Sequence, residues 1–383
     1  MQQQALDLSA IPVIDNHCHA YINYEQPLDA RQYRRLFSEA NSAAFTYEHV
    51  PQAAYYRWAL KELGRILDCA ATEDAVLAKR ASFSLPEFTA LLLGEAQIEA
   101  MLIDTGLGGP EFLSLDAMRS LTGCRIEWVL RLEVLAQHLI AETHDFATFQ
   151  ARYLEELRDL PGRGIVSLKS IAAYRTGLDI QPVTDDQAAT AFAEVCEDLT
   201  LGQRPRLVHK VLIDYIVHLG MAQAATQGGI PIQFHTGYGD PDTDLRLGNP
   251  LHLRPLFEDS ALENVPIVML HESYPFTREA AFLATVYPNA YLDISYSVPF
   301  LDYHELLACT HQALGVAPWS KVLYSSDGFS IPEHGWLGAI HGRRVLADAL
   351  RSMIEVGVLD HDEALTAATA ILNENSRRVY RLR

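Results

Sequence analysis

A chain of 383 residues is larger than one simple core usually fills, so it must hold two domains or one large α/β barrel carrying an insertion. Its 49% hydrophobic and 21% charged residues are ordinary globular proportions, which exclude a disordered or fibrous chain. A formal net charge of −19 sets the surface against nucleic acid and anionic membranes, and no apolar run is long enough to span a bilayer, so neither is expected as a partner.

The opening stretch, MQQQALDLSAIPVID, lacks a basic segment followed by an apolar one, so no secretory signal is expected. Cys18, Cys69, Cys124, Cys196 and Cys309 are scattered and include no CxxC pair. That usage fits a reducing, cytoplasmic setting and argues against a disulfide framework or a cysteine-based zinc site.

The first short β-rich run, residues 12–16, leads into Asp15-Asn16-His17-Cys18-His19. Alternate side chains of a strand share a face, so His17 and His19 point the same way. Two such imidazoles at a strand end can hold one divalent ion together. With 15 histidines in the chain, a chance pair is the competing reading. Residues 21–97 are too long for a strand-to-helix connection and rich in Ala, Leu, Arg and Tyr, as in AAYYRWALKELGRIL. They read as a helical insertion capping whatever the first strand opens onto. Its aromatics Tyr47, Tyr55, Tyr56 and Trp58 are expected to pack between helices rather than touch substrate.

Further β-rich runs follow at 100–105, 125–130 and 164–169, the last closing on Lys169, one of only five lysines. Tyr174 and Arg175 come just beyond it as candidate substrate contacts, since an arginine on such a loop can clamp a carboxylate with two hydrogen bonds. Helical periodicity marks 145–157, 185–199 and 207–227. The run 230–234 is closed by His235 and carries Gln233 on the same face, where it could contact substrate, line the interior or orient a ligand. In HTGYGDPD, Gly237 and Gly239 allow close backbone approach, while Asp240, Asp242 and Asp244 lack the rest of a calcium loop and read as a polar turn.

The run 266–270 is closed by His271, a helical segment spans 278–286, and the run 290–295 carries Asp293, either a partner for a histidine or a buried structural acid. The last run, 321–325, leads into Asp327, and His334 and Trp336 beyond it are candidates for the pocket wall.

Eight strands alternating with helices imply a parallel sheet, and eight suggest a closed (β/α)₈ TIM-like barrel, with an open doubly wound sheet as the alternative. No repeat, low-complexity tract or linker divides the chain, so residues 1–383 are expected to form one domain with 21–97 inserted after the first strand. A barrel gathers its strand ends at one rim. His17, His19, His235, His271, Asp327 and Lys169 would meet there. Imidazoles with a carboxylate suit Zn²⁺ first, and Mn²⁺ or Fe²⁺ as well. Three or four such ligands leave a position for water, whose pKa falls toward neutrality. Asp327 could then be ligand and general base at once. A protonated Lys169 cannot ligate. Carboxylated by CO₂ it would bridge two ions, with His271 on the second. Left cationic it would hold a substrate carboxylate, with His271 polarising the scissile carbonyl.

HxH on the first strand, Lys on the fourth, His on the fifth and sixth and Asp on the eighth resembles the pattern of the amidohydrolase superfamily, over residues 11–20 and 98–383. IDNHCHAY, SLKSIAAYRTGL, IQFHTGYGDPDTDLRLGNPLHLRPL, LHESYPFTREAAFLATVYPNAYLDIS and LYSSDGFSIPE resemble the FluG-type amidohydrolases, stand-alone relatives of the N-terminal half of glutamine-synthetase-like fusion proteins. No synthetase half is expected after AILNENSRRVYRLR. The resemblance implies a metal-dependent hydrolase with ligands at His17, His19, His235 and Asp327, with Lys169 and His271 matching as well, and γ-glutamyl amides among the family's substrates. Glu272 departs from the small residue expected there and adds a carboxylate near the site.

The expected activity is cleavage of an amide C–N bond in a small, carboxylate-bearing substrate such as a γ-glutamyl amide. Water attacks, Asp327 shuttles the proton, and His271 or the ion stabilises the oxyanion. A non-oxidative decarboxylase of the same superfamily is the alternative, and a non-catalytic binding or regulatory barrel ranks last. Self-association into a homo-oligomer stays open.

Overall fold

Runs of Val, Ile, Leu and Met too short for helices and bounded by polar residues form strands buried on both faces, the pattern of a parallel sheet covered by helices. In the computed structural model, which describes residues 6–24, 26–197, 199–296 and 301–382, they are β1 (Val13–Cys18), β2 (Ile98–Asp104), β3 (Arg125–Arg131), β4 (Ile165–Ser170), β5 (Ile232–Phe234), β6 (Ile267–Met269), β7 (Ala290–Ser295) and β8 (Val322–Ser325). They pair in chain order, every pair parallel, with helices around them. The fold is the (β/α)₈ barrel the sequence implies, and each strand lies within two residues of its expected ends.

The seam between β8 and β1 closes through side chains and the loop beyond the strands. Asn16 Nδ2 donates to Tyr324 O at 2.6 Å, and Asp15 Oδ1 accepts from Ser326 N at 2.8 Å. Just above, Asp327 N donates to His17 O at 3.0 Å and His19 N to Gly328 O at 2.7 Å. A register shift between Asp15 and Cys18 interrupts the simple alternation of β1. Gln233 there meets the His17 ring with its Oε1 and the backbone carbonyl of Asn16 with its Nε2.

The barrel interior is a separate apolar cluster of Ile14, Ala100, Leu102, Val129, Val268, Leu270 and Leu323, completed by Val379, Tyr380 and Leu382 from the end of the described chain. Val379 ends the helix Asn375–Val379 and the other two follow it; the Asn375 side chain donates to Trp319 O and Val322 O at the start of β8, so these residues enter from the N-terminal end of the barrel.

The region after β1 holds the helices Ala30–Arg35, Ala43–Glu48, Ala54–Ile66, Glu73–Arg80 and Leu85–Ala96. Local chemistry sets their starts. Asp29 and Ser84 form capping boxes with Gln32 and Glu87, and Thr72 and Ser42 cap the helices that follow them. The helix Leu85–Ala96 runs straight into β2 and packs on the long helix Pro332–Glu355, so it is the barrel's own first helix and the excursion proper ends before it. Arg80 anchors the excursion, with Nε 2.5 Å from the fully buried Glu333 Oε1. Tyr55 and Tyr56 are buried and Trp58 packs on His341, as packing residues should, but Tyr47 is 66% exposed and fills no core. Among the described residues no helix is long and apolar enough to cross a membrane.

Candidate metal centre

The C-terminal rim of the barrel gathers the expected strand-end residues. His17 Nδ1 donates to Gln233 Oε1 at 2.8 Å, and His19 Nδ1 to Asp104 O at 3.1 Å. Each ring therefore presents Nε2 as a lone pair, the form a metal ligand needs. Burial pushes both imidazoles well down the pH scale, His19 to about 4, so both stay neutral. Asp327 sits one turn past β8 in a left-handed conformation (φ 50°) that aspartate tolerates. Its Oδ1 lies 3.5 Å from His17 Nε2 and 3.7 Å from His19 Nε2, and these donor atoms all lie within 4.8 Å of one another. Donors at ~2.1 Å in a tetrahedral shell are about 3.4 Å apart, so the trio fits one divalent ion of the zinc type.

Lys169, next to last in β4, is almost wholly buried, with Nζ 3.3 Å from His17 Nε2. Burial brings its amine down to about 8, against the pull of Asp104, and pushes the Asp327 carboxyl up, against the pull of Lys169. His271 approaches Asp327 from the other side, its Nδ1 3.4 Å from Oδ2 and 3.1 Å from Ser295 Oγ. His235 lines the same cavity but stands outside the close trio. Its Nε2 donates to Tyr238 O at 2.7 Å, its ring lies 4.6 Å from that of His271, and Nδ1 is its remaining donor atom.

The turn carrying His271 is strained. His271, Glu272 and Ser273 all have positive φ, of 65°, 50° and 50°, each costing about 1–2 kcal/mol. Asp293 holds it, accepting His271 N at 3.1 Å and Ser295 Oγ at 2.7 Å on Oδ1. This acid serves the backbone of the turn rather than an imidazole. Glu272 is fully buried and absent from the cavity wall, and burial raises its pKa, so it does not bring the extra charge to the site that its sequence position suggests.

Above the donors lies a cavity of about 420 Å³. The Tyr174 ring packs tilted against His235, centroids 4.1 Å apart, and lies under Gly239, where a side chain would collide with its hydroxyl. Arg175 also lines the cavity and donates to Tyr174 O at 3.3 Å; among the described residues its buried Nε has no partner and it forms no ion pair. The excursion contributes Arg35 and Glu39. Arg35 is occupied by Ser38 O and Ala40 O, while the Glu39 carboxyl is raised by burial and by Asp240.

Three candidate substrate contacts lie elsewhere. Gln233 is sealed in the barrel and spends its amide on His17, Asn16 and Tyr380. His334 and Trp336 fall in the first turns of the helix Pro332–Glu355 rather than on a loop. The His334 ring sits behind the cavity against Phe329 and Phe37, and Trp336 Nε1 donates to Glu95 Oε2 at 2.6 Å. Sequence reasoning passed over Asp104 and Arg131, which end β2 and β3 and pair at 2.6 Å beneath the cavity. The strand-end rule applied to the other runs would have found both. Glu39, Asn16 and Tyr380 carry no such signal.

An amidohydrolase family model matches residues 215–382. The FluG protein of Emericella nidulans is 29% identical over 97% of this chain, which spans 46% of that relative's length. A crystal structure from Lactobacillus casei ATCC 334, named provisionally as a metal-dependent hydrolase, is 28% identical and superposes with a TM-score of 0.86 over 99% of this chain and 100% of its own. The uronate isomerase of Thermotoga maritima shares the fold, with a TM-score of 0.65 at 14% identity over 97% of this chain and 95% of its own.

Proposed function

We propose that the chain, similar over its length to proteins of the amidohydrolase superfamily, hydrolyses an amide C–N bond in a small, carboxylate-bearing substrate, a γ-glutamyl amide being the first candidate. The observation that carries this reading is one carboxylate, Asp327, set 3.4–3.7 Å from three imidazoles under a cavity whose wall holds the Arg175 guanidinium, which has no ion pair among the described residues. A divalent ion on His17, His19 and Asp327, most simply Zn²⁺, supplies Lewis acidity toward water and the substrate carbonyl.

The protein's own groups divide the remaining work. Asp327 Oδ1 faces the two ligand rings, while Oδ2 faces His271. Oδ2 is then free to take the proton of the attacking water and return it to the leaving nitrogen. The two parted fragments are a carboxylic acid and a free amine. Arg175 holds the substrate carboxylate with its spare donors, worth about 1.5–3 kcal/mol for a charged hydrogen bond.

His271 divides two roles, and hydrogen bonding favours one. The Ser295 hydroxyl donates to Asp293 Oδ1, so His271 Nδ1 is the donor toward Ser295 Oγ. Nε2 then carries the lone pair, and burial opposes protonating it. A ring in that state ligates or accepts and does not donate to an oxyanion. Lys169 argues in the same direction. An ion on His17 Nε2 would face an ammonium 3.3 Å from that atom, a repulsion that carboxylation of the amine removes. A carbamate on Lys169, with a second ion shared by His271 and Nδ1 of His235, is the fuller form of the reading.

The test is product analysis with the metal-replete protein and γ-glutamyl amides. Stoichiometric free amine, abolished by chelation and restored by Zn²⁺, is the expected result. Release of CO₂ without amine would replace hydrolysis by decarboxylation.

A further inference from the structure

Tyr380 lies far along the chain from the ligand histidines, yet its hydroxyl stands two hydrogen bonds from His17. It is buried in the barrel interior, donates to Asn16 Oδ1 at 2.9 Å and accepts from Gln233 Nε2 at 2.9 Å. These senses are forced. Tyr324 O can only accept, so Asn16 must show it Nδ2 and turn Oδ1 toward Tyr380. The single proton of Tyr380 goes to that oxygen, which leaves its own oxygen to accept from Gln233. Gln233 gives its other N–H to Asn16 O at 2.7 Å. With both amide hydrogens committed, Oε1 faces His17 Nδ1 at 2.8 Å. An oxygen there accepts only, so the proton of His17 sits on Nδ1 and the lone pair on Nε2, beside Asp327.

We propose that Tyr380, acting through Gln233, is a positioning residue that holds His17 in the tautomer and orientation a metal ion requires. The proposal rests on the reading of His17 as a ligand. It makes the centre complete only once the C-terminal segment has docked, because Val379 and Leu382 carry Tyr380 into the same apolar cluster as Ile14 and Leu323. Gln233 is wholly buried, so water cannot stand in for the missing hydroxyl. Removing it leaves one N–H of Gln233 and Oδ1 of Asn16 unpaired, and the amide keeps Asn16 O as its one partner besides His17.

The test is the Zn²⁺ affinity of Tyr380→Phe, read by competition with a chelator, beside Tyr153→Phe as control. Tyr153 loses an equally buried hydroxyl, bonded to Ile216 O at 3.1 Å and outside both the cavity lining and the His17–Gln233 network. Tyr380→Phe should weaken Zn²⁺ about 10- to 100-fold, the usual reach of groups that orient a ligand, while Tyr153→Phe keeps the parent affinity. Parent-like affinity in Tyr380→Phe, or equal loss in both, overturns the proposal. Should Tyr380→Phe not fold, histidine ¹⁵N resonances of the metal-free parent decide: a proton on His17 Nδ1 is expected, and one on Nε2 overturns it. Neither readout uses a substrate, so inactivity toward amides would count against the proposed reaction and not against this inference.

Discussion

The floor and the wall of the cavity are built to opposite rules. On the floor, the ligand candidates are fixed by a second layer of partners: Gln233 behind His17, the Asp104 carbonyl behind His19, Asp293 and Ser295 behind His271. On the wall, Arg175 keeps spare donors and Glu39 faces Asp240 with no cation beyond Arg35. A finished floor suits an ion that must be held in one geometry, and an unfinished wall suits a ligand that arrives and leaves. The strain sits on the floor too, in the left-handed turn of His271 to Ser273, where hydrogen bonds over-determine it.

Three substitutions sharpen that contrast. On the floor, Asp327→Asn should lower kcat by at least about 10³-fold while the circular dichroism spectrum and melting curve stay close to the parent's, because the loss is of a proton carrier and ligand rather than of packing. Near-normal turnover would remove Asp327 from both roles. On the wall, Arg175→Met should raise KM for a carboxylate-bearing amide about 10- to 100-fold with a smaller change in kcat, which is the loss of one charged hydrogen bond. A neutral amide of the same size should show no such penalty, and an equal rise for both would deny Arg175 its carboxylate.

The smallest effect is on stability. Burial, with Asp240 behind it, raises the Glu39 carboxyl, so the folded state binds its proton more tightly than the unfolded chain does. That contribution is complete at pH values below the ordinary carboxylate range and is lost as pH rises through the raised pKa. Glu39→Gln should therefore remove that loss of stability above the ordinary carboxylate range in the metal-free protein and melt slightly higher than the parent near neutrality. A lower melting temperature there would mean that the attraction of Arg35 outweighs burial and Asp240.

Much of the floor was legible in the sequence because strand ends in a barrel converge by geometry alone. Apolar runs closing on His235, His271 and Lys169, or leading into His17 and Asp327, needed no knowledge of packing to be placed on one rim. The close trio is narrower than expected, because the Nε2 of His235 is taken by a carbonyl three residues along its own loop. The wall was less legible. His334 and Trp336 follow Asp327 closely, but Pro332 starts a helix there and turns them away from the opening. Glu39 and Tyr380 reach the site from a cap and a chain end, and such distant contacts leave no periodicity to read.

The most direct measurement of the central claim is anomalous scattering from a crystal of the protein grown with Zn²⁺. The account predicts a peak bonded to His17 Nε2, His19 Nε2 and Asp327 Oδ1. A fully occupied zinc position elsewhere with these three atoms unligated would contradict it.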